Sequence, residues 1–335
     1  MKKNKIFVII FSIIILIFSF VISLCLGAEK IDFSLLLKDF FNNSQNPELN
    51  FQKIILFKLR LPRSLLALLT GILLAGSGAI FQMFFRNPLA EPGIMGLSSG
   101  ATLGAVFAQV LGISLPFTFI SPVNIFAFIG AIFSGLIITT ICMTKMSTKN
   151  NVMILLCGTA LGTLYSSLSS AILLTSNKEL HSIYTWILGS FNGRGWNELL
   201  FILIPSILSI VIMIFIAPVL DLLSCGETTA LTLGVEVKKL KILVIIAAAF
   251  AVSASVCAGG TISFVGLIAP HIARKIIGPK AKNLVVYSMI LGGILLLLAD
   301  TLARTLIAPS ELPTGIITSI LGVPFFLSLI AKKEN

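Results

Sequence analysis

The chain has 335 residues, of which 57% are hydrophobic and 11% are charged, and its formal net charge is +11. Soluble domains are on average about 45–50% apolar and about 25% charged, so this composition excludes an ordinary soluble enzyme or a disordered protein. The basic residues flank apolar runs instead of forming one basic face, which argues against nucleic-acid binding. The composition therefore predicts an all-α integral membrane protein that forms a single domain over residues 1–335.

Ten apolar runs follow one another along the chain, and most are close to the roughly 20 residues that cross a bilayer as a helix. The first run is longer than the apolar region of a signal peptide, so we expect it to remain as a membrane span. The eighth run is short. The predicted spans are residues 6–26, 64–85, 93–111, 123–144, 152–174, 198–218, 240–258, 261–277, 284–302 and 312–331.

The distribution of lysine and arginine predicts the orientation of these spans, because cytoplasmic segments carry an excess of both residues. With the N-terminus inside, fifteen of the 24 lysines and arginines fall on inner segments. Both termini are therefore predicted to be cytoplasmic. Residues 27–63 then form a long extracytoplasmic loop and residues 219–241 form the longest cytoplasmic loop. Within that loop, the helix-prone stretch 228–233 lies between two glycines.

Almost no ionisable residue lies inside a predicted span, and Asp300 is the clearest exception. A carrier driven by protons or sodium usually needs buried carboxylates or broken helices near the middle of the membrane, and the sequence offers no such set. It also contains no G-x-x-x-x-G-K-[ST] motif, the phosphate-binding loop of many ATPases. No metal-ligand or nucleophile–base set is recognisable, so we predict no catalytic, cofactor-binding or metal-binding residue.

Three segments carry specific motifs. They are RLPR at 60–63 with RNPLAEPG at 86–93, GETTALTLGV at 226–235, and FVGLIAPHIAR at 264–274 with ADTLAR at 299–304. Together they resemble the FecCD family, which comprises the permeases of binding-protein-dependent ABC importers for iron–siderophores, haem and vitamin B12. The resemblance covers the chain from about residue 50 to the end. It implies ten transmembrane helices, a second permease subunit that is identical or closely related, two ATP-binding cassette subunits and an extracytoplasmic substrate-binding protein.

The resemblance implies that Arg60, Arg63 and Arg304 are docking points for the binding protein. Guanidinium groups suit this role because they hold carboxylates through two parallel hydrogen bonds. Two other interpretations stay open. The arginines could anchor helix ends at the level of the lipid headgroups, and Arg304 could pair internally with Asp300, four residues earlier.

The resemblance also places a cytoplasmic gate at Asn87, Pro88 and Leu89. Proline lacks a backbone amide proton and interrupts helices, so this stretch predicts a tight inner turn. The turn could also be purely structural. The family's coupling segment, which meets the ATPase subunits, corresponds to Gly226, Glu227, Ala230, Leu233 and Gly234.

Three serines of the fifth span, Ser166, Ser167 and Ser170, are predicted to line the transport path, which in the family runs between two permease subunits. Ser166 and Ser170 share one face of a helix. The alternative is that these hydroxyl groups bond to their own backbone.

These observations lead to one functional hypothesis. The chain is a permease subunit in a bacterial cytoplasmic (inner) membrane, surrounded by lipid, and imports a ferric siderophore or similar metal chelate. A pre-chelated metal needs no protein ligands along its path. We expect no cofactor in this chain, ATP bound by partner subunits, and no nucleic-acid partner. The alternatives are a haem or cobalamin importer of the same family and, in a different class, an ion-coupled secondary transporter.

Overall fold

The computed structural model describes residues 2–27, 29, 47–114, 120–143, 151–175 and 181–331. Over these residues the regular structure is helical and contains no β-strand, which confirms the predicted all-α fold. The helices are α1 (Lys2–Cys25), α2 (Pro47–Ile54), α3 (Leu61–Phe84), α4 (Leu97–Val110), α5 (Pro122–Met143), α6 (Asn151–Leu174), α7 (His181–Ile187), α8 (Trp196–Ser224), α9 (Glu227–Thr232), α10 (Val237–Gly259), α11 (Val265–Ile277), α12 (Ala281–Thr305) and α13 (Thr314–Ala331), with a π-helix (Ile55–Arg60) and a 3-10 helix (Pro92–Met95) between them.

Each of the ten predicted spans overlaps one of these helices. Seven helices of the described residues are long and apolar enough to cross a membrane, and α4 and α13 are shorter apolar helices. Large apolar side chains are exposed along α1 and α8, including Phe18 and Phe215, as expected for surfaces that face lipid. The chain is therefore a multi-pass membrane protein.

The centre of the bundle is formed by α3, α10 and α12, whose residues are mostly buried, whereas no more than a third of the residues in the spans of α1, α5, α6 and α8 are buried. The contact between α3 and α12 is a backbone contact at Gly71 and Gly292. A Cβ atom added to Gly71 would lie 2.2 Å from the carbonyl oxygen of Gly292. Only glycine permits this approach, which is typical of helix packing in membranes.

The helices α4 and α11 are shorter than the spans predicted for them. At 13 residues, α11 is about 20 Å long and cannot cross the bilayer alone. It begins beside the middle of α3, where a Cβ atom on Gly78 would lie 1.9 Å from the carbonyl oxygen of Gly266. The helix α4 begins after Gly96, whose φ of +75° favours glycine. Part of each apolar run is thus not α-helical.

The predicted extracytoplasmic loop 27–63 contains helical structure at its C-terminal end, and its position outside the membrane stays a prediction. Helical structure begins at Pro47 and continues through the π-helix into α3, so residues Phe51–Phe84 form one stretch of 34 residues. At 1.5 Å per residue this stretch is about 51 Å long, whereas the bilayer core is about 30 Å thick. The physical reason is that residues 54–61 are mainly apolar helix formers, and the Trp196 side chain donates a hydrogen bond to the Phe57 carbonyl over 2.9 Å. Residues 30–46 of the loop lie outside the described residues.

Segments that the charge distribution predicts to lie on the same side of the membrane lie together at one end of the bundle. At one end, the Asp221 carboxylate accepts a hydrogen bond from the backbone amide of Ala281 over 2.7 Å. At the other, the Arg63 side chain contacts Asp300. We call these the inner end and the outer end, following the predicted orientation.

Candidate functional site

Arg63 is the centre of a buried network at the outer end. Its Nε and Nη2 atoms donate hydrogen bonds to Asp300 at 2.9–3.2 Å, and its Nη1 atom donates to Glu311 at 2.8 and 3.0 Å. Asp300 is fully buried and also accepts a hydrogen bond from the Thr314 hydroxyl. One guanidinium group therefore joins α3, α12 and the start of α13 through two carboxylates.

Arg60 is bound to the end of α1. Its Nη1 atom donates to the carbonyl oxygens of Leu24 and Cys25 at 2.9 and 2.8 Å, and its Nη2 atom donates to the carbonyl of Glu29. The last carbonyl groups of a helix have no partners within the helix. Arg60 therefore acts as a C-terminal cap for α1.

Arg304 is bound to α1 and approaches Asp300. Its Nη2 atom donates to the carbonyl and the hydroxyl of Ser23, and its Nε atom lies 3.9 Å from the Asp300 carboxylate. The internal pair that the sequence left open is therefore present, although Asp300 lies closer to Arg63. The three predicted docking arginines are only 3–8% exposed, and docking stays a prediction.

A cavity of about 530 Å³ opens at this end, and Arg194 is one of the basic residues that line it. The buried Nε atom of Arg194 has no hydrogen-bond partner among the residues that the structure describes. Burial lowers the pKa of this guanidinium group, and the nearby Glu198 partly opposes that effect. No role for Arg194 was predicted from the sequence. Among the residues that line the cavity are Lys58, Arg60, Arg63, Arg194, Arg304 and Glu311.

The predicted inner turn follows α3. The side-chain oxygen of Asn87 accepts a hydrogen bond from the Leu89 amide at 3.0 Å, and the Asn87 carbonyl accepts one from Ala90 at 3.1 Å. Arg86, just before the turn, has a positive φ of 49°. The tight turn is confirmed, whereas its role as a gate stays a prediction.

Glu91 is a carboxylate that the sequence analysis did not single out. It lies at the backbone amide of Phe264, just before α11, and lines a cavity of about 340 Å³ with Ser98 and Ser263. A carboxylate at a helix N-terminus is stabilised by the helix dipole. The pair Glu91-Pro92 is typical of a helix start, but nothing in the sequence indicates that Glu91 meets a different helix 170 residues later.

The face of α6 with the predicted path-lining serines is exposed and carries five hydroxyl groups. Ser170 donates to the Ser166 carbonyl at 3.0 Å, and Thr163 donates to the Thr159 carbonyl at 3.0 Å. The hydroxyls of Ser166 and Ser167 are exposed and make no hydrogen bond with the described residues. Backbone bonding therefore accounts for part of this face only, and the path-lining role stays a prediction.

The inner loop contains the short helix that the sequence predicts, now α9. Gly226 and Gly234 flank it with φ values of +127° and +84°, which glycine adopts without strain. Ala230 is fully buried, whereas Leu233 is 61% exposed. Leu231, which the prediction missed, is 54% exposed. Leu231 lies on α9 and Leu233 directly follows it, and such an exposed apolar pair can form a protein contact surface.

Known proteins are similar to this chain in sequence, and one solved structure is also similar to it in fold. A cobalamin import system permease protein, BtuC, of Halobacterium salinarum is 37% identical over 282 residues, which cover 84% of this chain and 74% of that protein. A Fe(3+)-citrate import system permease protein, YfmD, of Bacillus subtilis is 35% identical and covers 100% of this chain and 97% of its own length. A solved ABC transporter of proposed metal-chelate type, in an inward-facing conformation, has a TM-score of 0.84 and 32% identity, covering 97% of this chain and 99% of its own.

The fold and these relatives define a multi-pass permease subunit of an ABC importer in the cytoplasmic membrane of a bacterium. The model of the FecCD transport family matches residues 15–332, and the chain belongs to that family. Membership implies a partner permease, separate ATPase subunits and a substrate-binding protein.

Proposed function

We propose that the chain pairs with an identical copy and that the pair imports a ferric siderophore or similar metal chelate. The observation that supports this cargo most directly is the exposed face of α6, where hydroxyl groups such as those of Ser166 and Ser167 make no bond within the described residues. Hydroxyl groups can bond the oxygen-rich surface of a chelate, whose metal is already coordinated and needs no protein ligand. The citrate–iron importer relative agrees with this cargo. The cobalamin relative makes cobalamin the second candidate.

Energy for import comes, in this proposal, from ATP bound by separate subunits, while this chain is not itself an enzyme and holds no cofactor. The absence of a G-x-x-x-x-G-K-[ST] motif from the sequence supports this division. The exposed Leu231 and Leu233 on α9 offer the apolar contact for an ATPase subunit. The predicted coupling residue Ala230 would act differently, because it is fully buried and supports α9 from within.

In this proposal the binding protein docks at Arg60, Arg63 and Arg304. Docking exchanges one of the carboxylate partners of Arg63 for a carboxylate of the binding protein. A carboxylate of the binding protein would replace Glu311, whose side chain is 24% exposed, while the fully buried Asp300 keeps its bonds to Arg63. This exchange preserves a charge-assisted pair at every stage, so that no buried guanidinium is left without a partner.

The gate, in this proposal, is the turn of Asn87, Pro88 and Leu89. The hydrogen bond between the Asn87 side chain and the Leu89 amide makes the turn compact. Proline fixes its backbone. Leu89 would supply the apolar closure, and Leu89→Ala should raise passive leak through the assembled transporter.

The test is uptake by vesicles that contain the purified complex with its ATPase subunits and binding protein. Ferric citrate, a ferric hydroxamate, haem and cobalamin should be compared, each with ATP and with an ion gradient alone. We expect ATP-dependent uptake of a ferric chelate. Uptake driven by the gradient without ATP would overturn the importer mechanism, and uptake of haem or cobalamin alone would overturn the cargo.

The path-lining role needs its own variants. Ser166→Leu with Ser167→Leu should lower uptake at least about tenfold, because the chelate would lose its hydrogen-bonding partners. Thr140→Leu is the matched control, since Thr140 is also exposed but lies on α5 and bonds its own helix. Equal uptake by both variants would show that α6 does not line the transport path.

A further inference from the structure

A cleft of about 730 Å³ lies at the inner end, where α3, α8 and α11 end and α12 begins. Three basic residues, Arg86, Arg274 and Lys280, line it together with one acidic residue, Asp221. None of the roles proposed above uses this cleft. Its charge is unbalanced, whereas the basic network of the outer end contains two carboxylates.

The basic side chains of the cleft have unused hydrogen-bonding capacity. The Nε atom of Arg274 is buried and has no partner among the described residues, and its Nη2 atom makes only a long bond, 3.3 Å, to Gln82. The side chain of Lys280 makes no hydrogen bond or ion pair with the described residues. Arg86 donates one guanidinium bond to the carbonyl of Leu223 and is otherwise exposed. A buried donor without a partner is costly, which favours a ligand that accepts hydrogen bonds.

The acidic residue of the cleft is already engaged. Asp221 accepts the hydrogen bond of the Ala281 amide at 2.7 Å, at the N-terminus of α12, where the helix dipole stabilises negative charge. Because three basic residues, Arg86, Arg274 and Lys280, face this one carboxylate, the lining keeps a surplus of positive charge.

We propose that this cleft binds a phosphate group, with Arg274 and Lys280 as its principal donors. Arginine binds phosphate oxygens through paired bonds and lysine binds them as a point charge. The group can come from the headgroup of an anionic phospholipid or from free phosphate. Basic pockets between helices on the cytoplasmic side typically accept lipid headgroups. The exposed apolar side chains of Leu222 and Ile276, at the ends of α8 and α11, offer a surface for acyl chains beside the cleft.

The experiment measures ligand retention by the purified permease–ATPase complex in detergent, by native mass spectrometry. The probes are dioleoylphosphatidylglycerol, dioleoylphosphatidylcholine and inorganic phosphate. We expect one phosphatidylglycerol to be retained per permease chain, and Arg274→Gln or Lys280→Gln to weaken retention about tenfold. Retention of inorganic phosphate with the same sensitivity to both variants supports the same site with a free phosphate as its ligand.

Matched controls are Lys275→Gln and Lys282→Gln, which remove the same charge from exposed neighbours that do not line the cleft. Elution from a sizing column shows whether each variant is folded, and Ser224→Glu, which adds a negative charge to the exposed rim, provides a second test of lost retention. Equal retention by all variants overturns the proposal. Loss of ATPase subunits from Arg274→Gln and Lys280→Gln, without phosphate or lipid binding by the native complex, would also overturn it and assign the cleft to an acidic segment of the ATPase.

Discussion

Both the outer and the inner end of this permease contain arginine side chains, but Arg63 at the outer end and Arg274 at the inner end differ in how completely they are bonded. At the outer end, Arg63 is buried and forms paired bonds with Asp300 and Glu311. At the inner end, Arg274 and Lys280 lack a carboxylate partner. Buried cations that are fully bonded hold a structure together, whereas cations with free donors can bind something else. Substitutions that exchange these properties test the difference between the two ends.

The largest effect, a loss of thermal stability, is expected from Asp300→Ala. This change removes the fully buried carboxylate of the outer network and leaves Arg63 and Arg304 without its charge. Breaking a buried ion pair from one side typically costs about 3–5 kcal/mol. The melting temperature of the purified protein in detergent should fall sharply.

The matched control is Glu236→Ala. It removes the exposed ion pair in which the Glu236 carboxylate lies 2.8 Å from the Lys239 ammonium group. Exposed pairs contribute about 0–1 kcal/mol, so this variant should melt almost as the native protein does. If Asp300→Ala melted no lower than Glu236→Ala, the outer network would not stabilise the fold.

A smaller fall in melting temperature is expected from Gly71→Ala, which tests the packing of α3 against α12, the two helices that join the outer and inner ends. The new Cβ atom would lie 2.2 Å from the Gly292 carbonyl oxygen and would force α3 away from α12. Overpacking of this kind costs about 1–3 kcal/mol. Gly195→Ala is the control, because no atom lies within 4 Å of its added Cβ. Similar melting temperatures for the two variants would show that the helices separate without cost.

Leu231→Glu with Leu233→Glu should weaken binding of the ATPase subunits about tenfold, because two exposed apolar contacts would become charged. Copurification of tagged ATPase measures the effect, and melting of the permease alone should be unchanged. Ala230→Glu is the contrasting variant. Because Ala230 is buried, a charge at this position should destabilise the loop as well as weaken ATPase binding. Normal ATPase recovery with the leucine variant would exclude α9 as the contact.

The smallest effect is expected from Glu311→Gln. Removing the charge of the exposed partner of Arg63 should raise the affinity for the binding protein about threefold to fivefold, because the incoming carboxylate would no longer compete with a full charge. Titration at low and high salt should show the gain mainly at low salt. Glu198→Gln, an outer acid that bonds Gly195 instead, should leave affinity unchanged. A lower affinity in Glu311→Gln would contradict the exchange of partners.

The sequence predicted the spans well because a membrane-spanning helix requires a continuous run of about 20 apolar residues, which is visible in the local sequence. It also predicted α9, since Gly226 and Gly234 mark both ends of a helix-prone stretch. It did not predict that Arg63 meets Glu311, because these residues are separated by 248 positions and only packing joins them. For the same reason Glu91 was overlooked: its contact with the start of α11 depends on where two short helices lie in space.

The close contact of α3 with α12 has a mechanical consequence. These two helices carry the outer network at one end. At the other end are the turn that begins at Asn87 and the contact of Asp221 with Ala281. Because Gly71 and Gly292 touch through their backbones, the helices cannot slide past each other without lifting apart. We therefore expect α3 and α12 to move together, so that a displacement at their inner end would reach Arg63 as a tilt of both helices.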